Sequence, residues 1–194
     1  MEKKRVGVLA LQGDFEAHQK ALERAGAEAV QVRTAEELDR LDGLVIPGGE
    51  STTMLKLLDY MNLKEPLRQF VKEKPVFGTC AGAILLAKDV RNPDQESFGA
   101  VDLTVERNAY GRQIDSRVAR LEPDAEFRRR VGEGDVEAVF IRAPIIRRTG
   151  PEVRVLAEYD GDPVLVEQGK HLIATFHPEL TDDARVHKLF LSKL

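Results

Sequence analysis

Apolar residues recur along this chain with two different periods. In the first half, short unbroken apolar runs alternate with stretches whose apolar positions lie three or four apart. Residues 6–11 form one such run, closed by Gln12-Gly13, as expected of a strand buried on both faces. From Asp14 onward, Phe15, His18, Leu22 and Ala25 share one helical face, and Gly26 marks the helix end. A short strand is predicted over 29–32. Thr34 and Glu37 then stand at capping-box spacing, so a short helix should follow. Residues 44–46 read as a third strand, closed by Pro47-Gly48-Gly49. A helix over 51–61 places Met54, Leu55, Leu58 and Met61 on one face, and Leu67, Phe70 and Val71 prolong the helical pattern towards Pro75. A strand at 76–77 and a helix over 83–88 complete this half. Such alternation predicts a mainly parallel sheet covered on both faces.

Beyond residue 100 the pattern changes. Strand-like runs at 101–106, 117–121, 138–141, 153–159, 163–167 and 171–176 follow one another with few helices between them, so several should pair antiparallel. A last helix from about residue 182 to the C-terminus carries Val186, Leu189 and Phe190. With no repeat, low-complexity stretch or linker, residues 1–194 are read as one α/β domain.

Composition narrows the function classes. The net charge is -4, from 29 Lys and Arg against 33 Asp and Glu, which gives no electrostatic reason to expect nucleic acid or an anionic membrane as partner. Met-Glu-Lys-Lys-Arg leads straight into a strand, without the apolar region of a signal peptide. No apolar run approaches the roughly 20 residues that span a bilayer. The expectation is a cytoplasmic protein. Its single cysteine, Cys80, permits neither an internal disulfide nor a multi-cysteine metal site.

A lone cysteine is ordinarily a small buried hydrophobe. Here it lies in Gly78-Thr79-Cys80-Ala81-Gly82, between a predicted strand and a predicted helix. That is the pattern of a nucleophile elbow, a tight strand-to-helix turn that presents a reactive side chain. A thiol needs a base, and the chain has four histidines. His18 and His187 fall on predicted helices and read as surface or packing residues. His171 opens the last strand and could point either way. His177 follows that strand, and Glu179, two residues on in an extended segment, would lie on the same side. A carboxylate there can accept the ring N–H and stabilise imidazolium. Cys80, His177 and Glu179 thus make a nucleophile, base and orienter for acyl transfer.

With these motifs in place, the chain resembles the class I glutamine amidotransferases, and among them the family of glutaminase subunits of pyridoxal 5'-phosphate synthases. The resemblance is carried by Leu9-Ala-Leu-Gln-Gly13, Pro47-Gly-Gly-Glu-Ser-Thr-Thr-Met54, Gly78-Thr-Cys-Ala-Gly82, Arg107-Asn108, Gly111-Arg112-Gln113, Phe140-Ile-Arg-Ala-Pro144 and Phe176-His-Pro-Glu-Leu-Thr181. It implies a flavodoxin-like three-layer fold and hydrolysis of L-glutamine to L-glutamate and ammonia. It also implies a partner, a (β/α)₈ synthase that uses the ammonia with a pentose phosphate and a triose phosphate. Glutamine contacts map onto Gly49, Glu50, Ser51, Arg107, Ile141 and Arg142, and an oxyanion hole onto Gly48, Gly49 and Ala81. No metal or organic cofactor is implied. The segment Pro93-Asp-Gln-Glu96 matches a variable loop and carries no assignment. The triad alone fits glutaminases of other biosynthetic pathways equally well. Cysteine hydrolases on related folds place histidine directly after the cysteine, where this chain has Ala81. A non-catalytic binding module would have no use for an intact triad.

Overall fold

The computed structural model describes residues 2–108 and 116–194. The motif residues Gly111, Arg112 and Gln113 lie outside the described residues. The first half folds as β1 (Arg5–Leu9), α1 (Phe15–Ala25), β2 (Glu28–Val32), β3 (Gly43–Ile46), α2 (Ser51–Tyr60), α3 (Lys64–Glu73), β4 (Val76–Thr79) and α4 (Ala81–Leu86). The remainder contributes β5 (Ala87–Arg91), β6 (Val101–Glu106), β7 (Ser116–Leu121), α5 (Ala125–Val131), β8 (Val136–Ile141), β9 (Ile145–Thr149), β10 (Arg154–Tyr159), β11 (Asp162–Gln168), β12 (His171–Ala174) and α6 (Arg185–Leu191).

Seven strands form the central sheet in the order β10-β11-β12-β4-β3-β1-β2. From β12 to β2 the neighbours are parallel, while β10, β11 and β12 pair antiparallel. This is the expected three-layer α/β arrangement. Side chains alternate across the sheet as strand geometry requires. Leu44, Ile46, Val76 and Ile173 pack with Met54, Leu58, Leu67 and Phe70 of α2 and α3. Val6, Val8, Val45, Phe77 and Leu172 pack on the other face, with Leu22 of α1 and Val186, Leu189 and Phe190 of α6. A three-stranded sheet (β5-β6-β9) closes over the first core and the β7-β8 pair over the second. Among the described residues, no helix is long and apolar enough to cross a membrane.

Several boundaries differ from the sequence expectation. The helix expected over 83–88 starts earlier and ends at Leu86, and Lys88 belongs to strand β5. The capping box at Thr34 forms in part: Glu37 Oε2 accepts from the backbone N–H of Arg33 and Thr34, but what it caps is a single 3-10 turn, Glu36–Leu38. The last helix covers less than was expected. Strands β5 and β9 and helix α5 were not anticipated. Helix α5 has one fully buried anchor, Phe127, too few for a periodicity to register, although Asp124 caps it by accepting from Phe127 N.

The elbow glycines are explained by backbone approach. A Cβ on Gly82 would lie 2.1 Å from the Ile46 carbonyl oxygen, and one on Gly78 would lie 2.6 Å from the Gly82 carbonyl. Helix α4 therefore rests directly on β3 and β4, backbone against backbone. Alanine at a helical site normally gains up to about 1 kcal/mol over glycine. Here overpacking against immovable main chain costs about 1–3 kcal/mol, so the clash wins. Gly82→Ala is expected to lower the urea midpoint, and an unchanged or raised midpoint would refute this packing.

Candidate active site

Parallel register places the two principal groups at one edge. Thr79, the last residue of β4, pairs with Ala174, the last of β12. Cys80 follows the first strand and His177 the second, so the shared C-terminal edge receives both. Ligand sites of open α/β sheets gather at this edge. Cys80 takes φ 50°, ψ -105°, a conformation L-residues rarely adopt, between β4 and α4. Its N–H donates to the Ala174 carbonyl at 3.0 Å and its carbonyl accepts from Ile84 N, so the turn is fastened on both sides.

The expected base, His177, is held as firmly. His177 N donates to Val139 O at 2.8 Å, tying the residue to β8. Its Nδ1 lies 2.6 Å from Glu179 Oε1, and because a carboxylate only accepts, Nδ1 carries the proton. The geometry between them differs from expectation. Residues Pro178–Leu180 form a 3-10 turn, with His177 at its N-terminal boundary, so the pair meets by the chain curling back rather than by extended-strand alternation. Both side chains are buried. Burial lowers the His177 pKa, but hydrogen bonds to Cys80 and Glu179, and the charge of each, outweigh it and raise the pKa to about 10. The ring is thus poised as imidazolium beside the thiol.

The other histidines separate clearly. His171 accepts from Val76 N at the opposite end of β4. Burial, with the Lys170 charge, lowers its pKa to about 4. It is excluded as the base by position. His18 and His187 are fully buried rather than on the surface, and their rings contact one another.

A cavity of about 430 Å³ opens beside Cys80 and His177. All six residues expected to contact glutamine, Gly49, Glu50, Ser51, Arg107, Ile141 and Arg142, line it. Their individual states are more specific than the motif suggested. The Glu50 carboxylate caps α2, accepting from Thr52 N at 3.1 Å and Thr53 N at 2.7 Å. Arg107 Nη2 donates to Thr52 Oγ1 at 2.9 Å and lies 3.4 Å from Glu50 Oε1, which holds a guanidinium at the cavity wall. Ser51 Oγ donates to Gln95 Oε1, a residue in the loop that carried no assignment. Gln12 was also missed as a site residue, although its segment is among the motifs: its Oε1 accepts from Glu50 N at 2.8 Å, and it lines the cavity.

The expected oxyanion donors lie close by. A Cβ on Gly48 would fall 2.6 Å from His177 Cε1 and 3.3 Å from Cys80 Cβ, so only glycine lets this loop lie against both. Gly49 has φ 136°, a conformation left to glycine, and Ala81 opens α4. A donor cluster that the sequence did not reveal also forms here. Ligating atoms of Asp14, His177 and Glu179 lie within 4.8 Å of one another. Because His177 Nδ1 and Glu179 are already joined to each other, the two groups are engaged in a proton-mediated contact that a cation would have to break.

Comparison with known proteins agrees with this geometry. Residues 8–194 match the SNO glutamine amidotransferase family. A protein of Solibacter usitatus named pyridoxal 5'-phosphate synthase subunit PdxT is 67% identical over 191 residues, covering 98% of this chain and 100% of that one. The protein of the same name from Koribacter versatilis is 59% identical, with 96% and 94% covered. A crystal structure of a glutamine amidotransferase superposes with a TM-score of 0.87 at 49% identity, covering 97% of each chain. A putative GMP synthase subunit from Thermoplasma acidophilum, at TM-score 0.71 and 16% identity, shares the fold. This chain belongs to the SNO glutamine amidotransferase family.

The raised His177 pKa has a consequence for stability. A group whose folded-state pKa is raised contributes stability fully below its unfolded value, near 6.5, and loses it as pH rises through the folded value, here about 10. The stability of the wild type relative to His177→Asn should therefore be greatest below about pH 6.5 and fall towards pH 10. Chemical denaturation across that range measures it. A difference independent of pH would show that the ring is not held protonated by Cys80 and Glu179.

Proposed function

We propose that this member of the SNO glutamine amidotransferase family hydrolyses L-glutamine to L-glutamate and ammonia, and passes the ammonia to a (β/α)₈ synthase subunit that builds pyridoxal 5'-phosphate. The observation that supports the chemistry best is Cys80, held at φ 50° on the elbow beside a His177 whose far nitrogen is bonded to the buried Glu179. The relatives named as subunits of pyridoxal 5'-phosphate synthase support the choice of partner and product.

In this mechanism the Cys80 thiolate attacks the side-chain amide carbon of glutamine. Nδ1 of His177 faces Glu179, which leaves Nε2 to protonate the departing ammonia. The same nitrogen then takes a proton from water, which cleaves the glutamyl thioester and releases glutamate. Glu179 steadies the imidazolium that is present before acylation and formed again during hydrolysis. The tetrahedral oxyanion is received by backbone N–H groups of Ala81 and the Gly48-Gly49 loop, where one donor contributes about 3 kcal/mol to the barrier. Arg107 and Arg142 supply charge for the substrate carboxylate, and guanidinium groups suit that planar anion. Gly49, Glu50, Ser51 and Ile141 supply the rest of the wall.

The synthase is also the element that switches the site on. Both flanking glycines have the conformational range for the peptide between them to turn either its N–H or its carbonyl towards Cys80, once the Gly48 carbonyl leaves its contact with Gly13. Moving such an equilibrium from 1% to 99% competent takes about 5.5 kcal/mol of differential binding, within reach of a standard-size interface. The isolated chain should turn over glutamine slowly and saturating synthase should raise kcat. Equal rates with and without synthase would remove the switch and leave the chemistry intact.

Single substitutions test the roles. A glutamine-analogue electrophile should label the chain once, and Cys80→Ala should abolish both labelling and turnover while the chain stays folded. His177→Asn should remove nearly all activity, because both proton transfers use that ring. Glu179→Gln should lower kcat by about two to four orders of magnitude without abolishing it. Persistent labelling of Cys80→Ala, or full activity in Glu179→Gln, contradicts the assignment.

A further inference from the structure

Behind the triad, a second set of polar side chains is buried with no evident need to be there. His18, on α1, and His187, on α6, are both fully buried, and Thr79, which closes β4, lies on the other side of His18 from His187. His18 Nδ1 lies 3.0 Å from His187 Nε2, and His18 Nε2 lies 3.0 Å from Thr79 Oγ1 and 3.4 Å from Glu179 Oε2. Phe77 meets both imidazoles edge-on, with centroids 6.3 Å and 5.6 Å away. A leucine would fill such a box without the desolvation of two imidazoles. Their presence therefore calls for a polar role.

The protons can be placed. Glu179 Oε2 is buried and makes no hydrogen bond among the described residues, although His18 Nε2 is 3.4 Å away. A bare ring nitrogen facing a carboxylate oxygen would repel it, so Nε2 carries the hydrogen. Nδ1 is then an acceptor, and His187 supplies Nε2–H to it. That leaves His187 Nδ1 as a bare lone pair, and it is indeed without a partner. Burial first, then the charges of His187 and His177, keep His18 well below its ordinary pKa, so it stays neutral and does not compete with His177 for the carboxylate's charge. Burial, with Arg24, likewise lowers His187 to about 3.

We propose that His18 is a positioning residue of this site: its Nε2–H, aimed by His187, lies between Thr79 Oγ1 and Glu179 Oε2 and fixes the orienting carboxylate and the residue before Cys80 as one unit. The proposal rests on Cys80, His177 and Glu179 being the glutaminase triad. Glu179 would otherwise hang by Oε1 alone from the ring it is meant to orient. With His18 behind it, Oε1 is bonded to His177 and Oε2 lies 3.4 Å from the His18 ring nitrogen, an electrostatic contact outside hydrogen-bond geometry, so two histidines on different elements flank the carboxylate.

Removing the Nε2–H should show in the pH profile as well as in the rate. A buried carboxylate that loses a polar contact is held less firmly, and so is the imidazolium that depends on it. The charged and titratable groups around Glu179 are His177 beside it, with Cys80 beyond, Asp14 just before α1, Glu16, His18, Lys20 and Arg24 from α1, and His187 from α6. In each comparison below only the His18 cluster changes.

The test compares the 194-residue chain with its His18→Leu variant, which keeps an apolar filling, and its His18→Gln variant, whose amide can restore a donor near the Nε2 position. Glutamine turnover is measured with the synthase subunit present. The pH dependence of Cys80 alkylation by iodoacetamide is measured on the chain alone. For His18→Leu, kcat should fall about tenfold with KM unchanged, and the acidic limb of the alkylation profile should move up by about one pH unit. His18→Gln should recover most of both. His187→Leu, which frees His18 to take the other tautomer, should shift the limb in the same direction and keeps the proposal testable should His18→Leu fail to fold. Unshifted limbs in the variants that fold, or equal losses in His18→Leu and His18→Gln, would mean that His18 only packs, and the proposal is overturned. A wild type that alkylates but never hydrolyses glutamine would instead sink the glutaminase reading, with the limb shift still deciding the role of His18.

Discussion

The carbonyl of Ile46 stands 2.1 Å from where Gly82 would carry a side chain, and much of the site depends on that approach. It seats the first turn of α4 against the end of β3, and Gly78 packing under Gly82 seats it against β4. With the helix so close, the chain has one residue in which to turn from strand to helix. Cys80 absorbs the turn by accepting φ 50°. The strain is tolerated because hydrogen bonds to Ala174 and Ile84 over-determine the position. Presentation of the buried Cys80 to the cavity is thus a by-product of backbone packing two residues to either side.

The same closeness recurs around the rest of the site. Gly48 lies against His177 and Cys80, and Gly13 lies so near the Gly48 carbonyl that a Cβ there would be 1.9 Å from its oxygen. Two loops at the sheet's C-terminal edge, those of Gly13 and Gly48, are consequently stacked backbone on backbone, with Gly48 in turn against the His177 and Cys80 side chains. Side chains would push them apart. The polar groups behind them, Thr79, His18, His187 and Glu179, are sealed in the core under α1 and α6 and satisfied mainly by one another. A buried, hydrogen-bonded set of this kind holds geometry well, because loss of a bonded member leaves its partner unpaired.

Among the residues misread or overlooked, distance along the chain is the common cause. His18 and His187 each sit on an amphipathic helix, and a histidine at a core-facing position looks like packing until the two helices are seen to lie side by side. Gln95 joins Ser51 and Thr52 across a loop whose sequence has no periodicity and matched nothing useful. Asp14 heads α1 and reads as a helix boundary, yet its carboxylate comes to the neighbourhood of His177. Helix α5 and strands β5 and β9 escaped because each is short, with too few buried positions to impose a period.

What the sequence determined by itself was whatever local chemistry can encode. Glycines around Cys80 announced a tight turn, buried apolar runs announced central strands, and the change of period beyond residue 100 announced the antiparallel additions now seen as β10 and β11 beside β12. His177 and Glu179, two residues apart, announced a bonded pair, although the 3-10 curl that joins them was not foreseeable, since Pro178 fits a turn as well as an extended link. Only the tertiary structure showed which histidine stands beside Cys80. His171 and His177 flank the same strand, and the parallel pairing of Thr79 with Ala174 delivers His177 to Cys80 and leaves His171 at the far end. It also decided that His18 stands behind Glu179. Register between strands and contact between helices are set by summed packing over the whole sheet, a non-local quantity that no window of sequence contains.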